Sequence, residues 1–247
     1  MFLSKARLYR IPNLRNAHGE IGFMVAPSLL EDAVEFAENP EPRCPCVLLL
    51  DTSGSMNGPA LQALNNGLQS FKNEIVKDSL ASRRVEVAVI SFNNEIAVEQ
   101  DFVTADQFEP PILTARGMTH MGAAIHKALD MVQARKAQYR SNGVAYYRPW
   151  VFLITDGAPQ GEPEDLVEQA AQRIKADEAA KRVAFFAVGV ENADMDRLAK
   201  IVTRAPVKLT GLDFVEMFVW LSASMQKISQ SNVEDQVALP PPGWGTV

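Results

Sequence analysis

The chain has very little cysteine. Two residues, Cys44 and Cys46, flank Pro45 in a sequence of 247, which excludes a disulfide-stapled scaffold. A bond between the two would be strained, because partners this close along the chain rarely meet disulfide geometry. The three histidines, His18, His120 and His126, do not complete a zinc site with two thiols at the usual spacing. The pair therefore reads as two reduced thiols entering a strand. No stretch of about 18 apolar residues occurs, so a membrane-spanning helix is not expected. The segment Met1–Arg10 is interrupted by Lys5, Arg7 and Arg10 and does not resemble the apolar core of a signal peptide, which points to the cytoplasm. Positive charge is also short: 24 Lys and Arg against 30 Asp and Glu give a formal charge of −6. With no basic run, nucleic acid is not an expected partner. No internal repeat is evident.

What remains is an ordinary folded composition, 47% apolar and 22% charged, in a chain long enough for one α/β domain with an extension. Residues 1–45 differ from the rest, with Pro12, Pro27, Pro40, Pro42 and Pro45. They hold one helical piece, Ser28–Ala37, where Ser28 and Glu31 have the spacing of a capping box. Asn39–Arg43 reads as a linker. The main domain is expected over 46–232, followed by an extended tail over 233–247 whose Pro240-Pro241-Pro242 run cannot be helical.

From Val47 the chain alternates strands and helices, the pattern of a doubly wound α/β sheet with helices on both faces. Strands are expected at 47–51, 85–92, 150–155, 183–190 and 207–209. Helices are expected near 59–78, 121–140, 163–181, 194–202 and 213–230. Residues 95–103 follow the turn pair Asn93-Asn94 and should return antiparallel as one edge strand of a mostly parallel sheet.

The most informative stretch is Val47-Leu48-Leu49-Leu50-Asp51-Thr52-Ser53-Gly54-Ser55-Met56. An apolar strand ends in a D-x-S-x-S turn, at the carboxyl edge where open α/β sheets bind ligands. One carboxylate and two hydroxyls are hard oxygen donors, suited to Mg²⁺ rather than to zinc or copper. Gly117-Met118-Thr119 precedes a helix, and Val151–Gly157 is a second apolar strand ending in Thr155-Asp156-Gly157. Taken singly, these aspartates, serines and the threonine are ordinary caps and turn formers. Their joint occurrence is what points to a metal. Gly54 and Gly157 are expected to permit backbone geometry that a side chain would obstruct.

Asp51, Ser53, Ser55, Thr119 and Asp156 together resemble the metal-ion-dependent adhesion site of von Willebrand factor A (VWA) domains, and the resemblance extends over about Val47–Ser231. It implies a Rossmann-like fold. It further implies that Ser53 and Ser55 ligate Mg²⁺ (or Mn²⁺ or Ca²⁺) directly, that Thr119 does so directly or through water, and that Asp51 and Asp156 act from the outer shell. An open position on the ion would then take an Asp or Glu of another protein. Leu48–Met56, Ala63–Ser70, Phe108–Ala115 and Arg148–Gly157 are more narrowly similar to the bacterial TerY-like proteins of tellurium-resistance clusters. Some of these are linked with a protein kinase and a PP2C-type phosphatase. Gly117-Met118-Thr119 stands where Gly-Gly-Thr is commoner.

The leading expectation is a non-enzymatic, metal-dependent interaction module acting as an adaptor or scaffold in a bacterial stress-response or signalling system. A metal-dependent hydrolase or phosphoryl-transfer enzyme is an alternative, although no Walker-type loop or activated nucleophile pair is present. An adaptor of an AAA-type ATPase and a structural domain with an empty site are two more. Glu31, Glu35, Glu38 and Glu41 are candidates for an internal carboxylate that would occlude the ion.

Overall fold

The computed structural model describes residues 34–191, 193–233 and 235–246. The chain divides between Pro40 and Glu41 into two compact units. In the first, residues 34–38 are helical; the expected cap at Ser28 and Glu31 lies outside the described residues.

The second unit carries a seven-stranded sheet: β1 (Cys44–Asp51), β2 (Val85–Phe92), β3 (Ile96–Thr104), β4 (Trp150–Thr155), β5 (Ala184–Gly189), β6 (Val207–Leu209) and β7 (Gly245–Thr246). The helices are α1 (Pro59–Ile75), α2 (Ser79–Arg84), α3 (Met121–Asn142), α4 (Glu164–Ala179), α5 (Met195–Ile201) and α6 (Phe214–Ser229). The strand order is β3-β2-β1-β4-β5-β6-β7. All neighbours run parallel except β2/β3 and β6/β7. Two antiparallel edges therefore flank the sheet, where the sequence pattern indicated one.

The second edge comes from the tail. Trp244 is 3% exposed and packs edge-on against Trp220. Thr210 N donates to Trp244 O at 3.0 Å, and the Trp220 indole donates to Pro240 O at 3.0 Å. Burying one large aromatic anchors a segment that cannot be helical, and Gly245-Thr246 then pair along β6.

β1 is buried on both faces because its side chains alternate. Cys44, Cys46, Leu48 and Leu50 pack with Leu64, Leu68 and Phe71 of α1 and Phe214, Phe218 and Leu221 of α6. Val47 and Leu49 face Ala124, Ile125 and Ala128 of α3 and Val167 and Ile174 of α4. The strand starts at Cys44, earlier than its apolar run suggests. Pro45 is tolerated where β1 is paired on one side only, since pairing with β2 begins at Cys44 and with β4 at Cys46. Burial pushes both thiols up, Cys46 to about 12, so they stay protonated and unreactive. The helix expected over 59–78 is α1 and ends at Ile75. A further helix that the sequence pattern does not indicate, α2, follows it, capped by the Asp78 carboxylate, which accepts from Leu80 N at 2.9 Å and Ala81 N at 2.8 Å.

At the amino end of β2 lies an ionic cluster that the sequence pattern does not reveal. Glu86 has no solvent exposure. It accepts from Arg43 Nε at 2.8 Å, from Arg135 Nε and Nη2 at 2.9 Å each, and from the Tyr139 hydroxyl. Glu41, which the sequence offered as an internal ligand, is held at this same end by Arg84 at 2.7 Å. It is therefore not available to the carboxyl end of the sheet. Removing the Glu86 charge takes from two buried guanidiniums the carboxylate they share. Glu86→Gln should lower unfolding free energy by about 3–5 kcal/mol, measured by urea denaturation; a loss below about 1 kcal/mol would contradict this account of the cluster.

Candidate metal centre

Three loops meet at the carboxyl end of β1 and β4. Parallel register pairs Leu50 with Ile154, so the next residues, Asp51 and Thr155, stand side by side. Thr155 donates its hydroxyl to Asp51 Oδ2 at 2.5 Å, and Ser53 N donates to Asp51 Oδ1 at 2.8 Å. Both carboxylate oxygens are thus fixed by protein donors, and their remaining lone pairs can accept from bound water.

Beyond Asp51 the turn Gly54–Met56 is a short 3₁₀ segment that lifts Ser55 to the surface while Ser53 stays 2% exposed. The hydroxyls of Ser53 and Ser55 are 3.0 Å apart, and Ser55 donates to Asp156 Oδ1 at 2.9 Å. Oxygens at ~2.0–2.1 Å from an octahedral Mg²⁺ lie about 2.9 Å apart along each edge. The two serine oxygens thus have the spacing of adjacent corners.

Thr119 arrives from another loop. Its backbone pairs with Gln160 in both directions, at 3.2 and 2.9 Å, just beyond Asp156. Thr119 is 3% exposed, and a Cβ built on Gly157 would lie 3.9 Å from its Oγ1. Among the described residues this hydroxyl has no hydrogen-bond partner, which suits a waiting ligand. The structure therefore gathers all five of Asp51, Ser53, Ser55, Thr119 and Asp156 at one end of the sheet.

Two backbone bonds fasten the first loop to the Thr119 loop: Gly54 N to Gly117 O at 2.9 Å and Arg116 N to Thr52 O at 2.8 Å. A Cβ on Gly54 would come within 3.3 Å of Gly117 O. Gly117 itself has φ +73°, and a Cβ there would stand 1.8 Å from Asn94 Oδ1. Gly157, by contrast, is not among the glycines with positive φ, and a Cβ there meets only ordinary contact. The glycine that sterics demand is Gly117, not Gly157.

Thr155 and Thr52 lie within the Thr-Asp-Gly and D-x-S-x-S segments but are not among the expected site residues; strand register identifies the support that Thr155 gives Asp51 once β1 and β4 are taken as neighbours. Thr52 accepts from Asn93 Nδ2 at 3.0 Å and donates to Phe92 O at 3.1 Å, tying the turn to the end of β2.

The electrostatics favour a cation. Burial raises Asp51 to about 6 against the lowering effect of its hydrogen bonds from Thr155 and Ser53, and the charge of Asp156 adds to the rise. Burial likewise raises Asp156, partly offset by Ser55, with Glu191 adding a further negative charge. Among the described residues neither Asp51 nor Asp156 has an ion-pair partner. No three of His, Cys, Asp or Glu among them converge into a cage, so an ion here would take hydroxyls as inner ligands. The donor set is neutral hydroxyls backed by two carboxylates, and it fits Mg²⁺, which keeps several waters.

The comparisons identify the family and the fold. Residues 46–210 match the von Willebrand factor type A domain family. The chain belongs to that family. The fold is shared with a von Willebrand factor type A protein from Catenulispora acidiphila (TM-score 0.57, 18% identity, 75% of this chain and 43% of that one). It is shared also with the pilus adhesin SpaC from Lactobacillus rhamnosus GG in its open conformation (TM-score 0.60, 15% identity, 75% and 30%). A third is proximal thread matrix protein 1 of the mussel byssus (TM-score 0.51, 15% identity, 75% and 48%). The VWA chain spans less than half the length of each. VWA domains commonly serve as protein-interaction modules. No described helix is long and apolar enough to cross a membrane.

The raised Asp51 makes the metal-free protein pH-dependent in a defined direction. Its folded value, about 6, lies above the ordinary 3.8, so the folded state binds more protons between these values. This group therefore destabilises the fold as pH rises from about 4 to about 6, by roughly 3 kcal/mol in total. Asp51→Asn in EDTA should flatten that part of the stability–pH curve; an unchanged curve would contradict the assignment.

Proposed function

We propose that this VWA domain is a non-enzymatic, divalent-metal-dependent interaction module. Mg²⁺, with Mn²⁺ or Ca²⁺ as substitutes, is held by Ser53, Ser55 and Thr119, with Asp51 and Asp156 in the outer shell. When bound, the ion supplies an electrophilic position for an Asp or Glu side chain of a partner protein. The observation that carries the reading is the pair Asp51 and Asp156. They converge on a run of hydroxyls, and among the described residues no cationic side chain neutralises them. Glu86, a buried acid on the adjacent strand, has two arginines. Where the described residues supply no cation, an external one fits.

The hydroxyl chemistry supports binding rather than catalysis. Ser53 and Ser55 bond each other, and Ser55 bonds Asp156, with no histidine in that run to act as a base. As context we propose a cytoplasmic adaptor or scaffold in a bacterial stress-response or signalling system of the tellurium-resistance type. This rests on the four TerY-like segments of the sequence; the family match concerns the VWA domain as a whole.

Two measurements test the reading. Ser53→Ala/Ser55→Ala should lower calorimetric Mg²⁺ and Mn²⁺ affinity at least tenfold with the fold retained by circular dichroism; wild-type affinity in the double variant contradicts it. The kinase and PP2C-type phosphatase of such gene clusters are the partners to test by surface plasmon resonance. Binding in Mg²⁺ that disappears in EDTA and in Asp51→Ala supports the adaptor role, whereas binding indifferent to both rules out capture through the metal.

A further inference from the structure

Thr119 is the one proposed ligand that does not sit at the end of a strand. The chain from Phe108 to Met118 has no helix or strand, so covalent connection alone does not fix the Thr119 hydroxyl opposite Asp156. Its position is set by bonds to neighbouring loops: Met118 N donates to Asn94 Oδ1 at 2.8 Å and His120 N to Asn93 O at 3.0 Å on one side, and the loop after β4 holds Thr119 on the other. Gln160 pairs with Thr119 through two backbone bonds. Two residues further on, the Glu162 carboxylate accepts from Gly122 N at 2.7 Å (Oε1) and from Ala123 N at 3.1 Å (Oε2).

Those two amides belong to the first turn of α3, and that helix has no cap of its own. His120, at the N-cap position, makes no side-chain cap bond, and the first turn contains no acidic residue. The unpaired N–H groups and the positive end of the helix dipole are instead met by a carboxylate from across the loop. The local sequence is built for that approach. Gly161 has φ +81°, and a Cβ there would lie 2.5 Å from Met118 Sδ and 3.0 Å from His120 Nε2. A Cβ on Gly122 would stand 3.0 Å from the Val167 backbone and 3.2 Å from Glu162 Oε2. Both glycines allow the Asp156 loop to lie directly on the Thr119 loop.

We propose that Glu162 is a positioning residue of the metal centre: by capping α3 it clasps the Thr119 loop to the Asp156 loop and fixes the Thr119 hydroxyl for the ion. This rests on the metal-site reading above. Outer partners that orient ligands typically govern metal affinity by tenfold or more, and a charged acceptor on backbone N–H groups is among the stronger hydrogen bonds available.

The test uses the full chain and four variants: Glu162→Ala, Glu162→Gln, Thr119→Ala and the double variant Glu162→Ala/Thr119→Ala. Glu162→Ala should weaken Mn²⁺ binding about tenfold. Glu162→Gln, which keeps an acceptor and loses the charge, should weaken it less. Because Glu162 acts through Thr119, adding Glu162→Ala to Thr119→Ala should change affinity less than twofold. Amide exchange in EDTA supplies a readout independent of metal: Thr119, Gly122 and Ala123 should exchange faster in Glu162→Ala, with the middle of α4 unchanged. Equal weakening by Glu162→Ala with and without the Thr119 hydroxyl would overturn the inference. So would unchanged Mn²⁺ affinity with unchanged exchange at Thr119. If wild type binds no Mn²⁺, the metal reading falls and this role falls with it; faster exchange in Glu162→Ala would then leave only a helix cap.

Discussion

A carboxylate with no solvent exposure ends a strand buried at every position, and the surrounding site is organised by what that charge requires. Asp51 sits in a low-dielectric setting where an ionised group is costly unless hydrogen-bonded or paired. One peptide N–H and one threonine hydroxyl hold its two oxygens, yet burial still outweighs them and raises the group to about 6. The neighbouring β2 strand meets the same problem differently. Glu86, equally buried, receives two arginines and a tyrosine from within the chain. One end of the sheet is thus electrostatically closed, whereas among the described residues the other holds two carboxylates with no ion-pair partner.

That asymmetry explains the economy of the site. Two carboxylates and three hydroxyls reach it on three loops, and short backbone bonds fasten the loops to one another: Gly54 to Gly117, Arg116 to Thr52, Thr119 to Gln160. The strands and helices supply a rigid floor. Precision at the surface comes from these crosslinks and from glycines that let backbones approach. An ion held mostly by neutral hydroxyls keeps more of its own charge for an incoming carboxylate than one surrounded by acidic ligands.

Much of this is legible in the sequence because strong local patterns encode it. The D-x-S-x-S turn follows an uninterrupted apolar run, and Asp156 repeats the arrangement at the end of β4. Helices with a clear apolar period appear where the period places them. The unread parts depend on contacts distant in sequence. Thr155 becomes meaningful only through parallel register with Asp51. Glu86 lies inside an otherwise apolar strand, and its arginines are 43 and 49 residues away. β7 forms because Trp244 is buried against Trp220, which a proline-rich tail does not announce. Asp78, at the end of the expected helix, instead caps a short additional helix, α2, because its side chain meets the first free N–H groups of a new turn.

The central claim is that the two acids at the end of β1 and β4, which have no ion-pair partner among the described residues, are completed by one divalent ion. The most direct measurement is a Mn²⁺ titration of the metal-free protein at neutral pH, counting bound ions by electron paramagnetic resonance, with wild type beside Asp51→Ala. The account predicts one saturable Mn²⁺ per chain in wild type and none at the same concentrations in the variant. Absence of saturable binding in wild type, or an undiminished site in Asp51→Ala, would contradict it.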